Sequence, residues 1–189
     1  EIKKEKMLMK KQKIMGLDTS TNNTGVGIIC IDDDRLDVKC SSINLRHEGA
    51  FTEEKFRKMV LAINQVIEQE KPNVIVIEDN CIENSPAESN KFQSRKLKNL
   101  VGACMAMGYI RDIEVVLYPP TKWRSLTRDK SKDWNVHREK CKEWSIDRVK
   151  ELFDITTRND DEADAVLIAY AYIKEHKEDN VLCCTKVQN

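Results

Sequence analysis

Val74-Ile75-Val76-Ile77 is an unbroken run of β-branched residues, and it ends on Glu78. A strand with one wet face alternates apolar and polar side chains. A run without alternation belongs to a central strand covered on both faces. This chain must therefore supply apolar elements for two sides of a sheet. A second apolar stretch, Ile14-Met15-Gly16-Leu17, also ends on a carboxylate, Asp18, and a Thr/Ser/Asn turn closing on Gly25 follows it. A carboxylate at the end of a buried strand is costly unless a hydrogen-bond donor, a cation or a metal compensates it.

The remaining elements arrange themselves around these two runs. Residues 13–19 and 25–31 read as strands, and the acidic turn Asp32-Asp33-Asp34-Arg35 leads into a more polar strand over 36–45, an antiparallel meander. A helix follows over 52–69, with Phe56, Met59, Val60, Ile63, Val66 and Ile67 on one face, Thr52 as N-cap and Pro72 as its stop. A strand over 73–80, a long helix over 89–108, a strand over 113–118 and a short helix opened by Pro119-Pro120 come next. Helices over 135–153 and 159–176 complete the order, the last capped by Asn159. Three meander strands followed by alternating helix and strand predict a mixed α/β sheet with helices on both faces.

The length of 189 residues suits one domain, here 12–177, with residues 1–11 expected as a disordered N-terminal extension and 178–189 as a flexible tail. Seven cysteines without Cys-x-x-Cys spacing and three histidines away from them argue against a zinc site or a disulfide framework, and favour a reducing, cytoplasmic setting. No apolar run is long enough to span a membrane, and no signal peptide is visible at residue 1.

Two further carboxylates complete a constellation. Asp161 and Asp164 stand in the first turn of the last helix, and three residues at ~100° each keep them on one face. Taken singly, each acid has an ordinary explanation: a turn former at Asp18, a lysine partner for Glu78, favourable first-turn charge at Asp161 and Asp164. Together, four converging carboxylates repel one another unless cations lie among them, and hard oxygen ligands suit Mg2+ or Mn2+. Two such ions serve phosphodiester hydrolysis. Asp160 and Glu162 are read as ordinary first-turn acids.

At these intervals, "GLDTSTNNTGVGII", "VIVIED" and "DEADAVLIAYAY" resemble the RuvC Holliday-junction resolvases of the ribonuclease H-like superfamily, over roughly residues 13–176. The resemblance implies a ribonuclease H-like mixed five-stranded sheet. It also implies a homodimer that makes paired nicks in a four-way junction during DNA recombination and repair, with Mg2+ or Mn2+ and no nucleotide cofactor. By resemblance Asp18, Glu78, Asp161 and Asp164 match the metal-binding carboxylates. Lys140 matches a catalytic lysine near the start of the penultimate helix, and Arg124 falls where the family carries a basic residue. Thr19-Ser20 stands where bacterial members carry Pro-Gly, and Cys81 where many carry an aromatic. Such divergence is similar to phage or prophage relatives, placing the protein in a bacterial or phage-infected cytosol.

Thirty-two basic residues balance 32 acidic ones, but not locally. Residues 122–150 hold ten basic side chains against five acidic, and 88–98 four against one, whereas 151–164 hold six acids and a single arginine. Basic flanks around an acidic centre are the pattern of a nuclease that grips phosphates and concentrates cations. Lys91, Arg95, Lys96, Lys122, Arg124, Arg138 and Lys142 are the expected DNA contacts. Trp123, Trp134 and Trp144 suit either base stacking or a core. Two alternatives remain: a related nuclease for forks, flaps or other branched DNA, such as phage DNA debranching, which needs the same acids, and an actin-like or sugar-kinase-type nucleotide-binding protein. The latter needs two related domains, and this chain has room for one.

Overall fold

The computed structural model describes residues 11–33, 35–79, 88–129 and 138–176; the side chains of 88–93 and 138–142 are outside the described set. Five strands, β1 (Gln12–Asp18), β2 (Asn23–Asp32), β3 (Arg35–Asn44), β4 (Val74–Glu78) and β5 (Glu114–Tyr118), form one sheet in the order β3-β2-β1-β4-β5. β1 pairs antiparallel with β2 and parallel with β4; β2–β3 is antiparallel and β4–β5 parallel. This is the expected mixed sheet, with the two carboxylate-ended strands side by side. Because β1 and β4 run parallel and Leu17 lies opposite Ile77, Asp18 and Glu78 emerge at the same end of the sheet.

Strand periodicity decides which face the acids share. Met15, Leu17, Ile75 and Ile77 point to the side covered by α1 (Glu53–Glu70) and α2 (Glu88–Ile110). Ile14, Val74 and Val76 point to the other side, covered by α3 (Pro120–Thr127), α4 (Arg138–Phe153) and α5 (Asp160–His176). Asp18 and Glu78 have the parity of the second set, so both face α5. The predicted caps are present. Thr52 accepts the backbone N–H of Lys55 at 3.0 Å, and Asn159 Oδ1 accepts that of Glu162 at 2.9 Å.

The central helix α5 lies directly on the strands because three glycines clear a path. A Cβ built on Gly16 would stand 2.0 Å from the Ala165 carbonyl oxygen, on Gly25 1.9 Å from that of Asp161, and on Gly27 2.5 Å from the Val166 nitrogen. No side chain fits there, so the backbone of α5 rests on β1 and β2. Gly25 thus does more than close the turn after Asp18.

The expected termini fall mostly on residues 1–10 and 177–189, outside the described residues. Lys11, assigned from sequence to the disordered extension, instead leads into β1 and pairs with Asp32 at 3.2 Å. Among the described residues no helix is long and apolar enough to cross a membrane.

Candidate active site

The seating of α5 brings the first turn of that helix over the carboxyl ends of β1 and β4. Asp18 is half-buried at the end of β1, and its pKa is raised well above the ordinary carboxylate range. Burial is the main cause, followed by the charges of Glu78, Asp164, Asp161 and Asp160. The other three sequence-predicted acids are therefore all close enough to act on Asp18. Asp164 is raised to about 7, again chiefly by burial; a Ser145 hydrogen bond and Arg124 pull it down while Glu78 and Asp160 push it up. Arg124 Nη2 lies 3.9 Å from Asp164 Oδ2.

Glu78, Asp161 and Asp164 are each held from outside the cluster. Glu78, only 3% exposed, accepts the indole N–H of Trp123 at 2.8 Å. Asp161 accepts from the Asn23 side-chain amide and from Arg46 Nη2 at 3.3 Å. Among the described residues no three His, Cys, Asp or Glu side chains are drawn together tightly enough to hold an ion as they stand. Glu78, Asp161 and Asp164 set repelling charge against Asp18, with Glu78 tethered by Trp123 and Asp161 by Asn23 and Arg46. Three buried oxygens in this neighbourhood lack a hydrogen-bond partner: Asp164 Oδ1, Asn23 Oδ1 and Thr19 Oγ1. Orphaned hard oxygens beside a repelled carboxylate set are what a divalent cation takes up, so these residues fit Mg2+ or Mn2+.

No protein-family model matches the chain. A crossover junction endodeoxyribonuclease RuvC of Xanthomonas euvesicatoria pv. vesicatoria is 29% identical over 112 residues, 58% of this chain and 61% of that protein; the aligned part thus spans under two thirds of this relative. The structure of Thermus thermophilus RuvC in complex with a Holliday junction substrate superposes with a TM-score of 0.67, covering 88% of this chain and 96% of that one at 13% identity. The fold is that of the RuvC-type resolvases. The yeast mitochondrial Holliday junction resolvase Ydc2 shares it, with a TM-score of 0.59 over 89% of this chain and 82% of its own at 16% identity.

On this RuvC-type frame the predicted basic residues divide. Arg124 is at the acid cluster. Arg95 is exposed on α2. Lys96 is not a surface contact: it is 7% exposed, with Nζ 4.0 Å above the Phe51 ring, because its helical position turns it inward. Lys122 is paired with Glu175 at 2.8 Å and lies over Tyr118. The side chains of Lys91, Arg138, Lys140 and Lys142, and all of Cys81 and Trp134, fall outside the described residues. Trp123 is fully buried, which removes it from base stacking. Asp160, read from sequence as an ordinary first-turn acid, adds its charge to both Asp18 and Asp164. Sequence reasoning missed Trp123, Asn23, Arg46 and Ser145 as partners of the acids. Asn23 lies within the quoted turn, but nothing in its spacing signals a bond to a residue 138 positions away.

Proposed function

We propose that this protein is a structure-selective DNA endonuclease that resolves four-way junctions by paired, metal-dependent phosphodiester cleavage. The observation that carries the reading is the convergence of Glu78, Asp161 and Asp164 on Asp18 at one end of a RuvC-type sheet. Named relatives and neighbours add support: a crossover junction endodeoxyribonuclease in sequence, Holliday junction resolvases in structure.

The four carboxylates would hold Mg2+ or Mn2+, two ions per site. When bound, the ions activate a water and stabilise the leaving oxygen. The chain's own residues prepare that binding. Burial and repulsion from neighbouring acids make Asp18 and Asp164 reluctant anions, so both hold protons more readily than ordinary carboxylates until a cation replaces them. Arg124 stands where it would meet a phosphate oxygen approaching Asp164, and Lys140 would supply a second positive charge from the start of α4. The basic stretches of α2 and α4 would carry the flanking DNA.

Two symmetric cuts require two sites related by a twofold axis. The outward face of α2 offers a surface for a second copy: Gly102 and Ala106 are exposed, Gly102 has open space beside it, and Tyr109 and Ile110 continue the strip at 59% and 82% exposure. No nucleotide cofactor is required by this chemistry.

Cleavage of a synthetic four-way junction, beside matched duplex, fork and flap, in Mg2+ or Mn2+ tests the reading. Paired nicks at opposed positions in the junction are expected. Equal or faster cutting of fork or flap would move the substrate to other branched DNA, and no cutting in either metal would end the nuclease reading.

A further inference from the structure

Trp123 fills the core under α3, but its indole N–H does more than packing requires. It sits on α3, is fully buried, and gives its indole N–H to Glu78 Oε2 at 2.8 Å, across 45 residues of sequence. A buried indole needs one acceptor, and a backbone carbonyl would serve. Here the acceptor is instead a carboxylate oxygen of the acid cluster, which makes the stronger, charge-assisted bond. The ring is fixed on several sides. Trp144 stacks on it with centroids 6.5 Å apart, and the Arg124 guanidinium lies 4.7 Å from its centroid. Thr127 donates to the Trp123 carbonyl at 2.9 Å and is itself held by Arg148 Nε at 2.8 Å. Two consecutive residues of this short helix therefore engage two of the four acids, Trp123 with Glu78 and Arg124 with Asp164.

We infer that Trp123 is a positioning residue for Glu78: a neutral donor that fixes the carboxylate's direction while leaving its negative charge for the cation. A lysine or arginine in its place would orient Glu78 equally well but would cancel that charge. Partners of this kind set metal affinity through the ligand they hold. The inference rests on the reading of Glu78 as a cation ligand.

The direct test replaces Trp123 in the full chain by 3-benzothienylalanine, which keeps the ring's shape and exchanges the N–H for sulfur. Mn2+ binding is followed by calorimetry without DNA, and junction cleavage is followed against Mn2+ concentration. The Mn2+ Kd and the half-saturating Mn2+ should both rise about 10- to 100-fold, while the rate at saturating Mn2+ falls much less. In a Glu78→Gln background the same replacement should leave Mn2+ affinity where Glu78→Gln alone puts it. A merely structural tryptophan would lower the melting temperature without moving Mn2+ affinity, and that result overturns the inference. A second measurement leaves Trp123 intact. Its indole N–H resonance in 15N-tryptophan-labelled protein should shift on Mg2+ addition and on Glu78→Gln; a resonance indifferent to both overturns the inference as well. Failure of the underlying reading looks different: wild type and Glu78→Gln would then bind Mn2+ equally.

Discussion

Asp164 makes the pH behaviour of the site testable. Its pKa rises from 3.8 to about 7 in the folded chain. Between those values the folded state keeps a proton that the unfolded state has released, so stability falls as pH rises through that window. Metal-free protein should lose on the order of 2–4 kcal/mol between pH 4 and 7 from this group, seen as a falling melting temperature. Asp164→Asn should flatten the fall, and Mn2+ affinity of the wild type should climb over the same interval. The cleavage prediction follows from the acid cluster itself. Asp18→Asn, Glu78→Gln, Asp161→Asn and Asp164→Asn should each reduce junction cutting by about 1,000-fold or more, because two-ion chemistry loses a ligand. DNA retention in a mobility-shift assay should be preserved or improved. Asp160→Asn should keep most activity and lower the pKa values of Asp18 and Asp164, since its charge raises both. The four acids were legible because each stands at a strand end or a helix start, where position in the element implies direction. Their tethers were not, because Trp123, Asn23, Arg46 and Ser145 meet them only through tertiary packing.

At the scale of elements, α5 depends on the absence of side chains beneath it. Gly16→Ala or Gly25→Ala must push the helix backbone off β1 and β2, since no flexible side chain is available to yield. Each should cost about 1–3 kcal/mol or more in chemical denaturation, and any folded remainder should bind Mn2+ weakly, because Asp161 and Asp164 travel with the helix. Gly102→Ala provides the contrast: nothing lies within 4 Å of its added methyl, so the monomer should tolerate it. The chain order of the elements and the apolar face of α1 were readable from periodicity, and predicted boundaries lie within a few residues of those observed. The glycine path was not readable. A glycine in a strand signals close approach without naming what approaches, and here the partner is a helix more than 130 residues away in the chain.

The molecule as a whole is a sheet with two unlike sides. One carries the acids under α3, α4 and α5; the other carries α1 and α2, and the dimer proposed above uses the exposed strip of α2. Gly102→Arg, placed on that surface, should shift the protein to monomer in light scattering at micromolar concentration. Paired junction nicking should become single nicking, while Mn2+ affinity is retained. A monomeric wild type, with and without DNA, would remove the dimer from the proposal. Lys122 and Lys96 show what local charge counts miss at this scale. Both contribute to the basic stretches, yet Glu175 neutralises one and the fold buries the other. A charge count along the chain cannot tell a cation facing DNA from one facing the protein.

On the proposed cation-binding reading, the bond between Trp123 and Glu78 doubles as an optical gauge. When an indole absorbs ultraviolet light, electron density moves from its pyrrole ring toward its benzene ring. The excited state is therefore stabilised by negative charge beside the N–H, where Glu78 lies. Loading the carboxylates with a cation cancels part of that field, so the emission of Trp123 should move to shorter wavelength as Mg2+ is added. No dye or substrate is needed to read the occupancy of the centre.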